Sequence, residues 1–305
     1  MPNWKEVEEE IKNSPSAIAS VRRKYLGIMH EYTGRNIITY YSAFLQKPEY
    51  QQTSIDDNDK NAFMQAVHGL NKNDGLDLLL HTPGGSLAAT ESIVEYLKKI
   101  FNNDIRVFVP QIAMSAGTII ALSSREIIMG KQSNLGPIDP QFGGMSCAGI
   151  IEEFKMAKEE VISNPNLSSL WAIIIGKYHP TFLGDCKKAI DWAEEMVSCW
   201  LKNTMFQNMS DDEKNITVKN IVDFLSSHNA TYSHQKHIHI DKLQELGVRV
   251  KPLEGLDNRT IKECKDLQDC VLTLHHSYMQ TLFNTNILKI VENQNCRGLA
   301  IMGQQ

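Results

Sequence analysis

LLLHTPGG (78–85), VFVPQIAMSAGTIIALSS (107–124), EIIMG (126–130) and NLGPIDPQ (134–141) follow one another along the chain, and their reading decides the fold. Leu78 to Leu80 is an apolar run fit for a buried strand. Pro83 ends it by fixing φ, and Gly84 and Gly85 permit positive φ and close backbone approach. Leu87, Thr90, Val94, Leu97 and Phe101 recur at helical spacing. Ile105 to Val109 is a second strand, ended by Pro110. Ser115 then stands where the next helix starts, followed by Ala116, Gly117 and Thr118. A helix start offers unpaired N–H groups and a positive dipole end. Aimed at a developing oxyanion, such donors matter: removing one typically costs about 3 kcal/mol of barrier.

From Leu76 to Met129 the order strand, helix, strand, helix, strand is the βαβ rhythm of an α/β fold with parallel strands. The pattern alone leaves a doubly wound sheet and a single-wound spiral both open. TPGG (82–85), MSAGT (114–118) and GPIDPQ (136–141), in that order, resemble the serine dehydrogenase proteinase group of the Clp-peptidase/crotonase superfamily, which is related to signal peptide peptidase A. The resemblance implies a Clp/crotonase-like ββα spiral core with added N- and C-terminal helical segments. It implies a serine nucleophile at Ser115. It also implies an oxyanion hole built from the N–H groups of Gly85 and Ala116, with Gly84 shaping the turn.

A serine hydroxyl needs a proton acceptor, and three assignments compete for that role. In Clp-type peptidases a His follows the Ser in the loop after the nucleophile helix. This sequence has Asp139 near that slot, 24 residues after Ser115. Further on, Thr231 to His239 precedes IDKLQELGVRV, and Ser233-His234 matches the Ser-His pair of the resembled group. The first assignment makes His234 the base and Asp139 its orienting carboxylate, since a triad is defined by geometry rather than chain order. The second uses a desolvated lysine, as in signal peptide peptidase A, with Lys155, Lys158, Lys177 and Lys187 as candidates. In the third no base remains, and the protein is a catalytically inactive scaffold or peptide binder. A crotonase-type acyl-CoA enzyme would use the same oxyanion hole, but no paired glutamates flank these turns.

The rest of the chain adds bounds. Its 305 residues are 42% hydrophobic, enough for one large or two modest domains. The net charge of −5 gives no basic surplus for nucleic acid. No run reaches the ~18 apolar residues of a membrane span. The longest candidate, Val107 to Leu122, contains Pro110, Gln111 and Gly117. The N-terminal MPNWKEVEEEIKN lacks the apolar core of a signal peptide. A cytoplasmic protein is expected. The six cysteines form no C-x-x-C pair, so they read as free thiols, with Cys147 a weak nucleophile candidate. His237 and His239 alternate as on a strand, but no further ligand accompanies them, so no metal and no cofactor are expected. The partner is a protein or peptide substrate. By resemblance the chain assembles as a homo-oligomer, a trimer or hexamer.

Three regions are expected: a helical arm over 1–34, the peptidase domain over 35–255, and a helical extension over 256–305. Within them, Trp4–Ile11 and Ala17–Tyr32 read as helices, the latter capped by Gly34. Asn36–Phe44 reads as a strand. Leu170–Ile175 is an apolar run of undecided type, and Ser210 to Glu213 has the form of a capping box.

Overall fold

The computed structural model describes residues 17–303, and the helix expected over Trp4–Ile11 lies outside them. The first half runs α1 (Ala17–Thr33), β1 (Asn36–Ser42), α2 (Asn58–Val67), β2 (Leu76–His81), α3 (Leu87–Phe101), β3 (Ile105–Val109), β4 (Ile112–Ala113), α4 (Ala116–Leu122), β5 (Glu126–Met129) and β6 (Asn134–Leu135). A hairpin of β7 (Gln141–Phe142) and β8 (Met145–Ser146) leads into α5 (Cys147–Ser163), α6 (Ser168–Ile175), α7 (Phe182–Asn203) and α8 (Asp211–Ser226). After a single turn at His228–Thr231 come α9 (Ile240–Glu245), β9 (Val250–Pro252), α10 (Leu267–Asn284), β10 (Ile287–Asn293) and β11 (Gly298–Met302).

Seven strands form the main sheet in the order β11-β10-β1-β2-β3-β5-β9. Strands β1, β2, β3, β5 and β9 are parallel and follow chain order; β10 and β11 add antiparallel on the β1 side. A doubly wound sheet would reverse its order at a switch point. This one does not, and the crossover helices α2, α3 and α4 all bury against the same face. The short strands β4 and β6 pair beside the main sheet, and Thr82 bridges to Ala113. The result is the single-wound spiral, a Clp-like α/β fold.

Strand alternation feeds two cores. Leu78, Leu80, Val107, Val109, Ile127 and Met129 face α2, α3, α4, α7 and α8. Leu79, Phe108 and Ile128 face the other way, onto α1 and α10. Burying one such side chain fully contributes about 1.5–3 kcal/mol. Two expectations change here. The segment 17–33 is no free arm: Leu26, Ile28 and Met29 are fully buried against α10 and the sheet. The last part of the C-terminal segment, expected as helix, is strand: Ile287, Ile290 and Val291 belong to β10, which pairs with β1 on one side and β11 on the other and is buried along nearly its whole length. Leu170–Ile175 resolves as helix α6, with Trp171 buried and Ile173 exposed. Ser210 opens α8 as expected, but its hydroxyl donates to Glu213 Oε2 at 2.8 Å instead of capping the backbone.

Candidate active site

A cleft of about 630 Å3 opens beside the C-terminal end of β2, at the turn that follows it. Its floor includes Pro83, Gly84, Gly85 and Ser115, its far rim Ile138, Pro140 and His234. Leu87, Phe142, Ala189 and Trp192 supply apolar walls, with Asp185 and Lys188 beside them.

Ser115 is the residue before α4 and holds φ 53°, ψ −117°. That region is costly for a side chain with a Cβ, of order 1–3 kcal/mol. Its hydroxyl does not cap the helix that follows. The ordinary role of a serine at a helix start, N-capping, is therefore not the one it plays. The glycine bend lies directly against it. A Cβ placed on Gly84 (φ +99°) would fall 2.7 Å from Ser115 Cβ and 3.0 Å from the Ala116 nitrogen. Gly85 (φ +155°) is pinned from behind by Ile55: the Ile55 N–H donates to the Gly84 carbonyl at 2.8 Å, and the Ser86 N–H donates to the Ile55 carbonyl at 2.9 Å. Those bonds flank Gly85 and leave its own N–H unspent in the bridge. The first turn of α4 is held by Gly117 N–H to Met114 O and Ile119 N–H to Ser115 O, neither of which uses the Ala116 N–H.

Asp139 and His234 meet. Leu135 and Ile238 exchange two backbone hydrogen bonds, at 3.0 and 2.9 Å, in an antiparallel bridge. Four residues on from Leu135 and four back from Ile238, Asp139 lies opposite His234, with Oδ1 2.7 Å from Nδ1. Asp139 is 1% exposed. With the Asp139 oxygen as acceptor in this contact, Nδ1–H is the donor, which leaves Nε2 free to accept. Two further ties fix the Asp139 loop: Ile138 N–H to Leu225 O, and Gly136 N–H to the Thr118 hydroxyl.

The four lysines of the alternative assignment are not brought to this place. Lys155, Lys158, Lys177 and Lys187 are exposed, and none lines the cleft. Cys147 is buried; burial and its hydrogen bond with Cys186 push its thiol up to about 12, so it stays protonated. His237 and His239 are exposed, and the described residues hold no group of three or more metal-ligating side chains. Among the described residues, no helix is long and apolar enough to cross a membrane.

Sequence reasoning missed the Ser54–Ile55 segment and the α7 wall. Trp192 was legible only as one apolar position of an amphipathic helix. Nothing local marks Ile55 as the strap behind Gly85.

A chain-ordered parallel sheet with its glycine bend and serine at the strand ends fits the Clp-like serine peptidases. The chain belongs to the ClpP-like SDH-type serine proteinase family, whose pattern matches residues 18–254. Two uncharacterized proteins of Methanocaldococcus jannaschii are similar to it. MJ1495 is 34% identical over 207 residues, covering 68% of this chain and 62% of that protein. MJ0137 is 28% identical over 204 residues, covering 67% and 62%. The matches thus span less than two thirds of those relatives' length. Among solved structures, a serine-to-alanine mutant of the 1510-N membrane-bound stomatin-specific protease aligns at 14% identity and a TM-score of 0.29, covering 66% of this chain and 92% of that one.

Proposed function

We propose that this chain hydrolyses peptide bonds through an acyl-enzyme on Ser115, with His234 as general base and Asp139 as its orienting carboxylate. The Ser115 oxygen attacks the scissile carbonyl carbon, and its proton passes to His234 Nε2. The carbonyl oxygen becomes an oxyanion that accepts from the N–H groups of Gly85 and Ala116. His234 returns the proton to the leaving amine, and the C–N bond breaks. A water molecule, deprotonated by the same nitrogen, attacks the acyl carbon; the bond to the Ser115 oxygen breaks, His234 returns the proton to that oxygen, and the acyl group leaves as a carboxylic acid. Asp139 stabilises the imidazolium that forms in each half. The apolar walls at Leu87, Phe142 and Trp192 suit an uncharged side chain next to the cleaved bond.

The observation that carries this reading is the contact of the paired-glycine bend with the Ser115–Ala116 backbone, inside the one cleft that His234 also lines. Fluorophosphonate labelling read by intact mass tests it. One adduct is expected on the wild type and none on Ser115→Ala. An unlabelled wild type, or an equal adduct in the variant, overturns the reading.

A further inference from the structure

Lys289 is fully buried, a rare site for an ammonium. It lies on β10 opposite Ser42, at the cleft end of the sheet. Its Nζ donates to the Ser54 carbonyl and to Asp56 Oδ2, each at 3.0 Å, and lies 2.9 and 3.0 Å from the two oxygens of Asp59. Asp59 is fully buried too, and its Oδ2 also accepts from the Tyr40 hydroxyl and the Asp56 N–H, each at 2.9 Å. An ammonium has three N–H donors, and here three groups take them. Lys289 does not line the cleft, so it is no proton acceptor for Ser115.

The cluster holds something specific. Lys289 grips Ser54 and Asp56, the residues on either side of Ile55. Ile55 grips Gly84 and Ser86, the residues on either side of Gly85. There is no slack between the layers: a Cβ on Gly85 would lie 2.3 Å from the Ile55 nitrogen and 2.4 Å from its oxygen. A buried ion pair adds little net stability over well-packed apolar groups. What it adds here is direction, with several donors aimed at fixed acceptors on a loop that lacks regular structure of its own.

We infer that Lys289, with Asp59 and Asp56, is a positioning group that sets the Gly85 N–H in the oxyanion hole through Ile55. The inference rests on the reading of Ser115 as nucleophile and adds residues to it. A displacement of about 1 Å at such a donor can cost on the order of 100-fold in rate.

The experiment compares fluorophosphonate labelling of the full chain with that of Lys289→Met, Lys289→Arg and Asp56→Ala, with Asn293→Ala as control. Asn293 lies on the same strand and holds Ala66 on α2, away from the Ile55 strap. The maximal inactivation rate is expected to fall about 100-fold in Lys289→Met and about tenfold in Asp56→Ala, with the probe's half-saturating concentration unchanged. Partial recovery is expected in Lys289→Arg, and wild-type rates in Asn293→Ala. Asp56 is partly exposed, so its variant reads the strap even if Lys289→Met does not fold. A rate in Asp56→Ala within twofold of wild type overturns the inference, as does a loss in Asn293→Ala equal to that in Lys289→Met. If the wild type itself does not label, the nucleophile reading has failed, and amide exchange over residues 82–88 decides the strap. Exchange about tenfold faster in Asp56→Ala upholds it, and unchanged exchange overturns it.

Discussion

Two buried charge clusters sit at opposite ends of the same sheet, and they carry different loads. At the N-terminal ends of the parallel strands, Asp77 is fully buried and takes Arg35 Nε at 2.8 Å and Arg106 Nε and Nη2 at 2.7 and 2.6 Å. Arg35 continues to Asp104, which also meets Arg125 at 2.9 Å. At the C-terminal ends, Lys289 ties Asp56, Asp59 and the Ser54 carbonyl. The first cluster joins β1, β2 and β3, which their backbone ladders already align. The second orients a loop that only a few bonds hold. Equal chemistry thus serves stability at one end and geometry at the other. Losing a charge should be felt in unfolding at the first and in turnover at the second.

Three substitutions sharpen that contrast. The largest effect belongs to the remaining buried carboxylate of the cleft end. Asp139→Asn should keep the fold and lower the labelling rate about 10³–10⁴-fold, because an amide that can donate to Nδ1 favours the wrong imidazole tautomer. A loss under tenfold would remove Asp139 from the chemistry. Next, Asp77→Asn should cost about 3–5 kcal/mol of unfolding free energy, since it leaves two guanidinium groups short of a buried counter-charge. The folded fraction should label at the wild-type rate in the same sample. A labelling defect there would erase the distinction between the ends.

The smallest effect concerns His81, the last residue of β2, whose ring lies near those of Tyr41, Phe44 and His275. Burial holds the His81 imidazole down to about 3, and burial together with the charges of His81 and His276 holds His275 well below its usual range. The unfolded chain takes up these protons near pH 6.5, and the folded chain does not. The contribution to stability is whole above pH 6.5 and is lost as pH falls from there toward 3. The melting temperature should therefore drop between pH 7 and pH 5, less steeply in His81→Phe. An equal slope in the variant would move the acid sensitivity elsewhere.

The core was legible where period and punctuation agreed. The helix over Leu87–Phe101 and the strand over Ile105–Val109 appear with the expected bounds, because apolar spacing and flanking Pro or Gly point the same way. The winding of the sheet needed the resemblance, since strand order is a long-range property. The meeting of Asp139 and His234 was reachable by the same route and not by spacing, as 95 residues separate them. Lys289 was invisible: one lysine in LKIVEN looks like an edge charge, and its partners arrive from the other end of the chain.

The family pattern closes at residue 254, while the lysine that holds Ser54 and Asp56, on either side of Ile55, is residue 289. A chain cut after residue 254 would keep Ser115, both glycines and His234 and lose the cation that sits behind the Ile55 strap.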